Sequence, residues 1–256
     1  MKRTGRHSPR SHKYVAPNPL RSLARAQKPS MTARKPLGRG PRLVGVIMSL
    51  TDLNSAIQMR KPPDLFELRL DQLARNLDEV EKKLSKLRAP LIMTARHPSE
   101  GGANQLSTKQ RRDLLSRFLP QARYIDVELR SVNALRSLLE AARRKNVGRI
   151  VSFHDLKATP DSRTLRTKAC AAKSDGANIF KVATRTDTPA QLARLLQFII
   201  NRDADLAVSV MGIGTLGAIS RVLLAHYGSA LIYASISESQ IEGQMLLEQF
   251  RALGIG

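Results

Sequence analysis

Residues 66–71 read Phe66-Glu67-Leu68-Arg69-Leu70-Asp71, an apolar residue alternating with a charged one over the whole run. Successive side chains of an extended strand point to opposite faces, so Glu67, Arg69 and Asp71 share one face and Phe66, Leu68 and Leu70 the other. Tyr124-Ile125-Asp126-Val127-Glu128-Leu129 repeats the pattern, and Ile92, Thr94 and Arg96 share one face of a further run. A half-exposed antiparallel strand would alternate in the same way. The intervening sequence argues against that. Predicted strands at 43–50, 64–70, 90–95, 123–129, 149–153, 178–184, 205–211 and 230–235 are separated by helical patterns at 76–87, 107–119, 132–145, 163–173, 189–201 and 216–226, and a last helix is predicted at 242–253. Alternating strand and helix indicates βα units and a parallel sheet. Eight strands with about as many helices point to an α/β chain folded as a compact, closed (β/α)8 TIM barrel. An open doubly wound sheet, the other arrangement considered, would usually have fewer strands. In a barrel the apolar faces pack on the helices and the charged faces point inward, near the carboxyl ends where barrel active sites are built.

Two later strands carry reactive side chains. Lys181 sits in the apolar run Ile179-Phe180-Lys181-Val182-Ala183, and His154 ends Ile150-Val151-Ser152-Phe153-His154-Asp155. A buried ammonium is costly unless paired or neutralised, and a neutral lysine amine can attack a carbonyl. Histidine is the usual proton shuttle near neutral pH. Together they suggest Schiff-base chemistry with proton abstraction. A lysine snorkelling from a strand end to solvent is the structural alternative.

Composition narrows the classes. The single cysteine, Cys170, excludes an intrachain disulfide and fits a reducing, cytoplasmic setting. No apolar run is long enough to cross a bilayer. Aromatic residues are few and tryptophan is absent, which disfavours base-stacking nucleic-acid modules. The net charge of +22 is unevenly spread: residues 1–42 hold 12 of the 43 Lys and Arg and none of the 21 Asp and Glu. That segment reads as a disordered basic extension, with 43–256 as the catalytic barrel. A targeting peptide, weak binding to RNA or anionic surfaces, and a start codon set too far upstream are the other readings of it.

The motifs occur in a characteristic order. Glu67-Leu68-Arg69-Leu70-Asp71 is followed by Thr94-Ala95-Arg96-His97-Pro98-Ser99-Glu100-Gly101-Gly102 and Asp126-Val127-Glu128-Leu129. Ser152-Phe153-His154-Asp155-Leu156, Phe180-Lys181-Val182-Ala183, Ser220-Arg221 and Gly243-Gln244 complete the series. In these elements, from residue 43 to the C-terminus, the chain resembles the type I 3-dehydroquinate dehydratases. The resemblance implies a cofactor-free lyase, dehydrating 3-dehydroquinate to 3-dehydroshikimate in the shikimate route, with a homodimer expected. By the same resemblance Lys181 forms the Schiff base, and His154 removes the adjacent proton and then protonates the departing hydroxyl. Glu100 pairs with His154. Glu67, Arg69 and Arg96 bind ring hydroxyls, Arg221 clamps the carboxylate, and Gln244 and Gln240 bind nearby. Asp126, Glu128 and Met211 play supporting parts. Asp71 is read as pairing with a neighbouring charge in preference to touching substrate, and His97, which matches no family position, as a loop residue.

Two stretches depart from the family pattern. The run before Ser220-Arg221 is long, Met211-Gly212-Ile213-Gly214-Thr215-Leu216-Gly217-Ala218-Ile219. The usual Ser-Ala-Pro-Gly-Gln reads Gln240-Ile241-Glu242-Gly243-Gln244, with Ser239 beside it. Other functions have some sequence support. Gly212, Gly214 and Gly217 match a dinucleotide fingerprint, with Glu238 about 20 residues on, although few βα units follow. A class I aldolase would share the barrel lysine, and an RNA-binding protein would use the basic extension. No metal centre is expected, because His154 and Asp155 are too few and point apart.

Overall fold

The alternating runs form eight parallel strands in a computed structural model that describes Met1, residues 40–238 and residues 241–256. The strands are β1 (Arg42–Ile47), β2 (Leu65–Arg69), β3 (Leu91–Thr94), β4 (Ala122–Glu128), β5 (Gly148–Asp155), β6 (Ile179–Arg185), β7 (Ala207–Ile213) and β8 (Leu231–Ser235). The helices are α1 (Leu50–Gln58), α2 (Leu77–Lys83), α3 (Thr108–Phe118), α4 (Arg136–Arg144), α5 (Ser162–Ser174), α6 (Pro189–Ile200), α7 (Gly217–His226) and α8 (Leu247–Ala252). Hydrogen-bonded neighbours run β7-β6-β5-β4-β3-β2-β1-β8. At the remaining seam, side chains supplement the backbone. Ala230 N–H donates to Val208 O at 2.7 Å, the Ser209 hydroxyl to Leu231 O at 2.8 Å, and Val210 N–H to Ser229 Oγ at 2.9 Å. The result is a nearly closed (β/α)8 barrel. Among the described residues no helix is long and apolar enough to cross a membrane. The basic extension predicted at 1–42 lies outside the described residues except for Met1 and residues 40–42.

The period-two pattern separates two buried environments. Outward-facing Phe66, Leu68, Met93, Ile125, Val127, Val151, Phe180 and Val182 join helix residues such as Leu115, Phe118, Leu165 and Phe198 in the main core. Inward-facing Val44, Leu65, Ile92, Tyr124, Ile150, Ile179 and Leu231 fill the floor of the barrel. One step along each strand toward its carboxyl end, the inward positions become Glu67, Thr94, Asp126, Ser152 and Lys181, all buried. The apolar floor excludes water from beneath the polar layer, so each charge above it must find a partner within the protein.

The structure corrects several predicted boundaries. The first strand ends at Ile47 rather than Leu50, because Ser49 caps α1, a helix absent from the sequence reading. The Ser49 hydroxyl accepts from Asp52 N–H, while Asp52 accepts from Ser49 N–H. The helix predicted over 132–145 begins at Arg136, after a short 3-10 turn at Leu129–Ser131. The one over 76–87 ends at Lys83 and continues as a 3-10 turn. The last helix begins at Leu247 instead of Glu242. The chain before it runs beside β8, with Ser235 N–H donating to Met245 O at 2.9 Å, and Gly243 adopts φ 75°. That left-handed conformation and the strand-like contact both interrupt a helix.

Candidate active site

Strand alternation delivers Glu67 and Arg69 from β2, Asp126 and Glu128 from β4, Ser152 and His154 from β5, and Lys181 from β6 to one end of the barrel. Arg96 and Glu100 arrive on the segment after β3, Arg221 from α7, and Gln244 from the loop before α8. A cavity of about 400 Å³ opens there, lined by Glu67, Arg69, Arg96, Glu100, His154, Lys181, Arg221 and Gln244 and also by Met211, Tyr233 and Ile241, while Asp126, Glu128 and Ser152 lie behind its wall.

Lys181 Nζ donates to Asp126 Oδ2 at 3.0 Å and to Glu67 Oε1 at 3.3 Å, and it lies 3.9 Å from the centre of the Tyr233 ring. The ammonium is therefore held by pairing; Lys181 does not snorkel to solvent. Asp126 also takes a two-pronged contact from Arg96, at 3.0 and 2.8 Å. Burial alone would raise the Asp126 carboxyl, but Arg96 and Lys181 outweigh it and hold this group far below the usual range. Arg96 Nη1 reaches Glu128 at 3.0 Å and Ser152 Oγ at 2.6 Å as well, so most of its donors serve protein partners. Arg69 grips Asp71 through two bonds, of 3.0 and 2.8 Å, and Asp71 further accepts from Arg96 N–H and Ala103 N–H. Asp71 thus has the pairing role expected of it.

His154 Nδ1 lies 2.9 Å from Glu100 Oε2, which also accepts the His154 backbone N–H at 2.9 Å. Burial pushes the Glu100 carboxyl up to about 7, against the pull of Arg96. Burial, then the positive charges of Arg96 and Lys181, push His154 well below its ordinary value. At neutral pH the imidazole is uncharged, the state a general base requires. His97 uses its backbone N–H for Glu128 and its ring nitrogen for Ser99 N–H, consistent with a loop residue.

Charge pairing sets Arg221 apart. Glu67, Asp71, Asp126 and Glu128 are matched to Lys181, Arg69, Arg96 and Arg111. Arg185, at the cavity rim, contacts Asp187 and Glu242. The Arg221 guanidinium meets Met211 Sδ at 3.4 Å and Tyr233 O at 3.1 Å, and among the described residues no carboxylate pairs with it. Burial lowers its pKa to about 10, which leaves it charged at neutral pH. One buried, uncompensated cation in a cavity suits one anionic group on a ligand. Gln244 stands nearby on the cavity wall, its Oε1 buried without a partner among the described residues. Gln240 lies outside the described residues.

Arg111 was missed in the sequence reading. Fully buried on α3, it donates to Ala95 O at 2.7 Å, to Ser131 Oγ at 3.1 Å and to Glu128 Oε2. Its signal was available: Arg111, Leu115 and Phe118 fall on one helical stripe, so a cation occupied a core position. Tyr233 and Ser152 were also missed, and neither residue type is distinctive in a strand.

The glycine fingerprint has a structural explanation. Gly212 N–H donates to Ser220 Oγ, Gly214 N–H to Glu242 O, Thr215 N–H to Asp187 Oδ1, Leu216 N–H to Thr186 O and Gly217 N–H to Gly214 O. A Cβ on Gly217 would lie 2.8 Å from Gly243 Cα. The donors that would cradle a pyrophosphate are occupied by protein, and the loop before α8 packs against the turn. Among the described residues no group of three His, Cys, Asp or Glu has the geometry to hold a metal ion.

Comparison with known proteins gives a consistent picture. The family model for type I 3-dehydroquinase matches residues 46–253. The 3-dehydroquinate dehydratase of Pyrococcus abyssi is 30% identical over 214 residues, covering 82% of this chain and 96% of the relative. That of Thermodesulfovibrio yellowstonii is 28% identical over 222 residues, covering 84% and 96%. The crystal structure of the 3-dehydroquinate dehydratase from Geobacillus kaustophilus superposes with a TM-score of 0.76 at 27% identity, over 83% of this chain and 89% of that one.

Proposed function

The chain belongs to the type I 3-dehydroquinase family, and from that premise we propose that Lys181, His154 and Glu100 carry out its reaction, the dehydration of 3-dehydroquinate to 3-dehydroshikimate. The enzyme is a carbon–oxygen lyase of the shikimate route to aromatic amino acids. The observation that carries the residue assignment is the buried Lys181 amine on the cavity wall, between Glu67 and Asp126, in the same cavity as an uncharged His154.

The substrate carboxylate pairs with Arg221, which has no carboxylate partner among the described residues, and the Gln244 side-chain amide adds a hydrogen bond by donating through Nε2. This anchors the ring and turns its ketone toward Lys181. Lys181 Nζ gives up one proton within the site and adds to the ketone as the free amine; the carbinolamine oxygen then takes that proton back and leaves as water, so that a protonated imine remains. The imine draws electrons from the adjacent carbon, whose proton His154 Nε2 removes, giving an enamine. The enamine electrons then expel the hydroxyl two carbons from the imine carbon. His154 returns its proton to that hydroxyl, which leaves as water, and hydrolysis of the imine frees product and lysine. Glu100 holds Nδ1 and balances the imidazolium that forms between the two proton transfers.

Glu67 and Arg69 line the cavity beside Lys181 and are the candidates for holding ring hydroxyls. Arg96 acts mainly through Asp126 and Glu128, fixing the carboxylates that flank the amine. Met211 supports Arg221 through its sulfur. Residues 43–256 form the catalytic domain in this reading. Family membership also supports a cytoplasmic homodimer, which light scattering would test.

Borohydride trapping with 3-dehydroquinate, followed by peptide mapping, tests the assignment. A ligand-derived mass on the Lys181 peptide is the expected result; folded enzyme that turns over without this adduct would refute the imine route.

A further inference from the structure

Among the described residues Tyr233 Oη, Arg221 Nε and Gln244 Oε1 are all buried without a hydrogen-bond partner, and all three residues line the cavity that holds Lys181. Buried polar groups are almost always paired, because leaving one unmade forfeits its hydration. Three on one cavity wall therefore mark groups kept for a ligand. In the reading above Arg221 takes the substrate carboxylate and Gln244 stands beside it, its Oε1 free to accept from a ligand hydroxyl, which leaves Tyr233 unassigned.

Tyr233 is the inward residue near the end of β8 and is 3% exposed. The face of its ring covers Lys181 Nζ at 3.9 Å. A positive nitrogen over an aromatic face is favoured, most of all where water is excluded. The ring therefore sits where the charge of the protonated imine develops. The hydroxyl belongs to the same rigid side chain, so it reaches atoms close to the imine carbon and not the far side of a six-membered ring. Both acids on the lysine are already engaged: Asp126 accepts from Arg96 and Lys181, and Glu67 Oε1 accepts from Thr94 Oγ1 at 2.7 Å and from Lys181.

We propose that Tyr233 is a substrate-binding residue, its hydroxyl donating to the ring hydroxyl on the carbon next to the imine carbon while its ring face holds the nitrogen. Burial, then the negative charges of Glu67 and Asp126, keep the phenol protonated well above the ordinary range, so it remains a donor. The inference rests on Lys181 as the imine lysine.

Tyr233→Phe in the full-length protein is the test, because it removes the oxygen and keeps the ring. A hydrogen bond between neutral groups predicts a rise in KM for 3-dehydroquinate of roughly 3–10-fold with kcat within twofold. Loss of a buried unpaired hydroxyl predicts a melting temperature unchanged or raised by about 2–4 °C in the ligand-free enzyme. That combination, weaker binding without loss of stability, is one that a purely structural tyrosine would not give. KM within twofold of the parent overturns the proposal. So does an effect confined to kcat, or a melting temperature lowered in step with the rise in KM. Borohydride mapping of the parent and variant separates this inference from its premise. An adduct on Lys181 in both, with KM unchanged, sinks the Tyr233 contact alone; no Lys181 adduct in the turning-over parent sinks the imine reading itself.

Discussion

Replacing Glu100 by Gln should make the enzyme more stable and far less active, and the stability gain should depend on pH. Glu100 is buried beside His154, and burial raises its carboxyl from the ordinary 4.5 to about 7, with Arg96 and Arg130 lowering it and Glu128 raising it. Between those two values the folded protein keeps a proton that the unfolded chain has released, so stability falls as pH rises through that window. At 1.36 kcal/mol per pH unit the full penalty is roughly 3 kcal/mol. Glutamine carries no ionisable proton and can still accept the His154 backbone N–H through its carbonyl. At pH 8 the variant should therefore exceed the parent by roughly 3 kcal/mol, or about 6–12 °C in melting temperature for a domain of this size. Near pH 4.5 most of that advantage should be gone. Meanwhile kcat should fall on the order of 10²–10⁴-fold, because the imidazolium formed during turnover loses its counter-charge. Urea unfolding at the two pH values, with steady-state kinetics at pH 8, measures both effects. A stability difference that is the same at pH 4.5 and pH 8 would refute the account of Glu100.

Three other substitutions probe separate parts of the site. Lys181→Ala should abolish both turnover and the borohydride adduct; it also leaves Glu67 and Asp126 without their shared ammonium, costing roughly 3–5 kcal/mol in thermal or urea unfolding. Arg221→Ala should raise KM about 30-fold or more with a much smaller change in kcat, the scale of losing one partner from a buried charge pair, and Arg221→Lys should recover part of the loss. An Arg221→Ala enzyme with unaltered KM would remove the carboxylate clamp from the mechanism. Arg111→Met should lower stability by roughly 3–5 kcal/mol, because Glu128 keeps only Arg96 as a partner cation and Ala95 O loses a donor. Since Arg111 does not line the cavity, KM measured on the folded fraction should stay near that of the parent.

Where the sequence reading fell short, the reason was competition between local and tertiary signals. The apolar run from Leu43 extends to Leu50, and that continuity concealed the capping pair Ser49 and Asp52, which turns the chain into α1 at Leu50. Glu242 through Leu246 carries a helical pattern, yet its backbone binds beside β8 and passes through a left-handed Gly243. Only the neighbouring strand makes that conformation favourable. The glycines at 212, 214 and 217 matched a nucleotide motif in spacing; their neighbours, Ser220, Asp187 and Gly243, show that close packing between two loops requires them.

Strand alternation is a property of the chain itself: with a period of two, Glu67, Arg69, Asp126, Glu128 and Lys181 had to share faces, and the intervening helices placed those faces inside a parallel barrel. The sequence alone thus determined the fold class, the inward charges and, through the order of its motifs, the family. The pairing of those charges was decided by the tertiary structure. Whether Lys181 meets Asp126 or Glu128, whether Arg111 reaches the site from outside the sheet, and which cation is left for the substrate all depend on strand register and barrel closure. Register brings together residues far apart in the chain, such as Glu67 and Lys181, and a contact of that separation leaves no periodic trace in either local run.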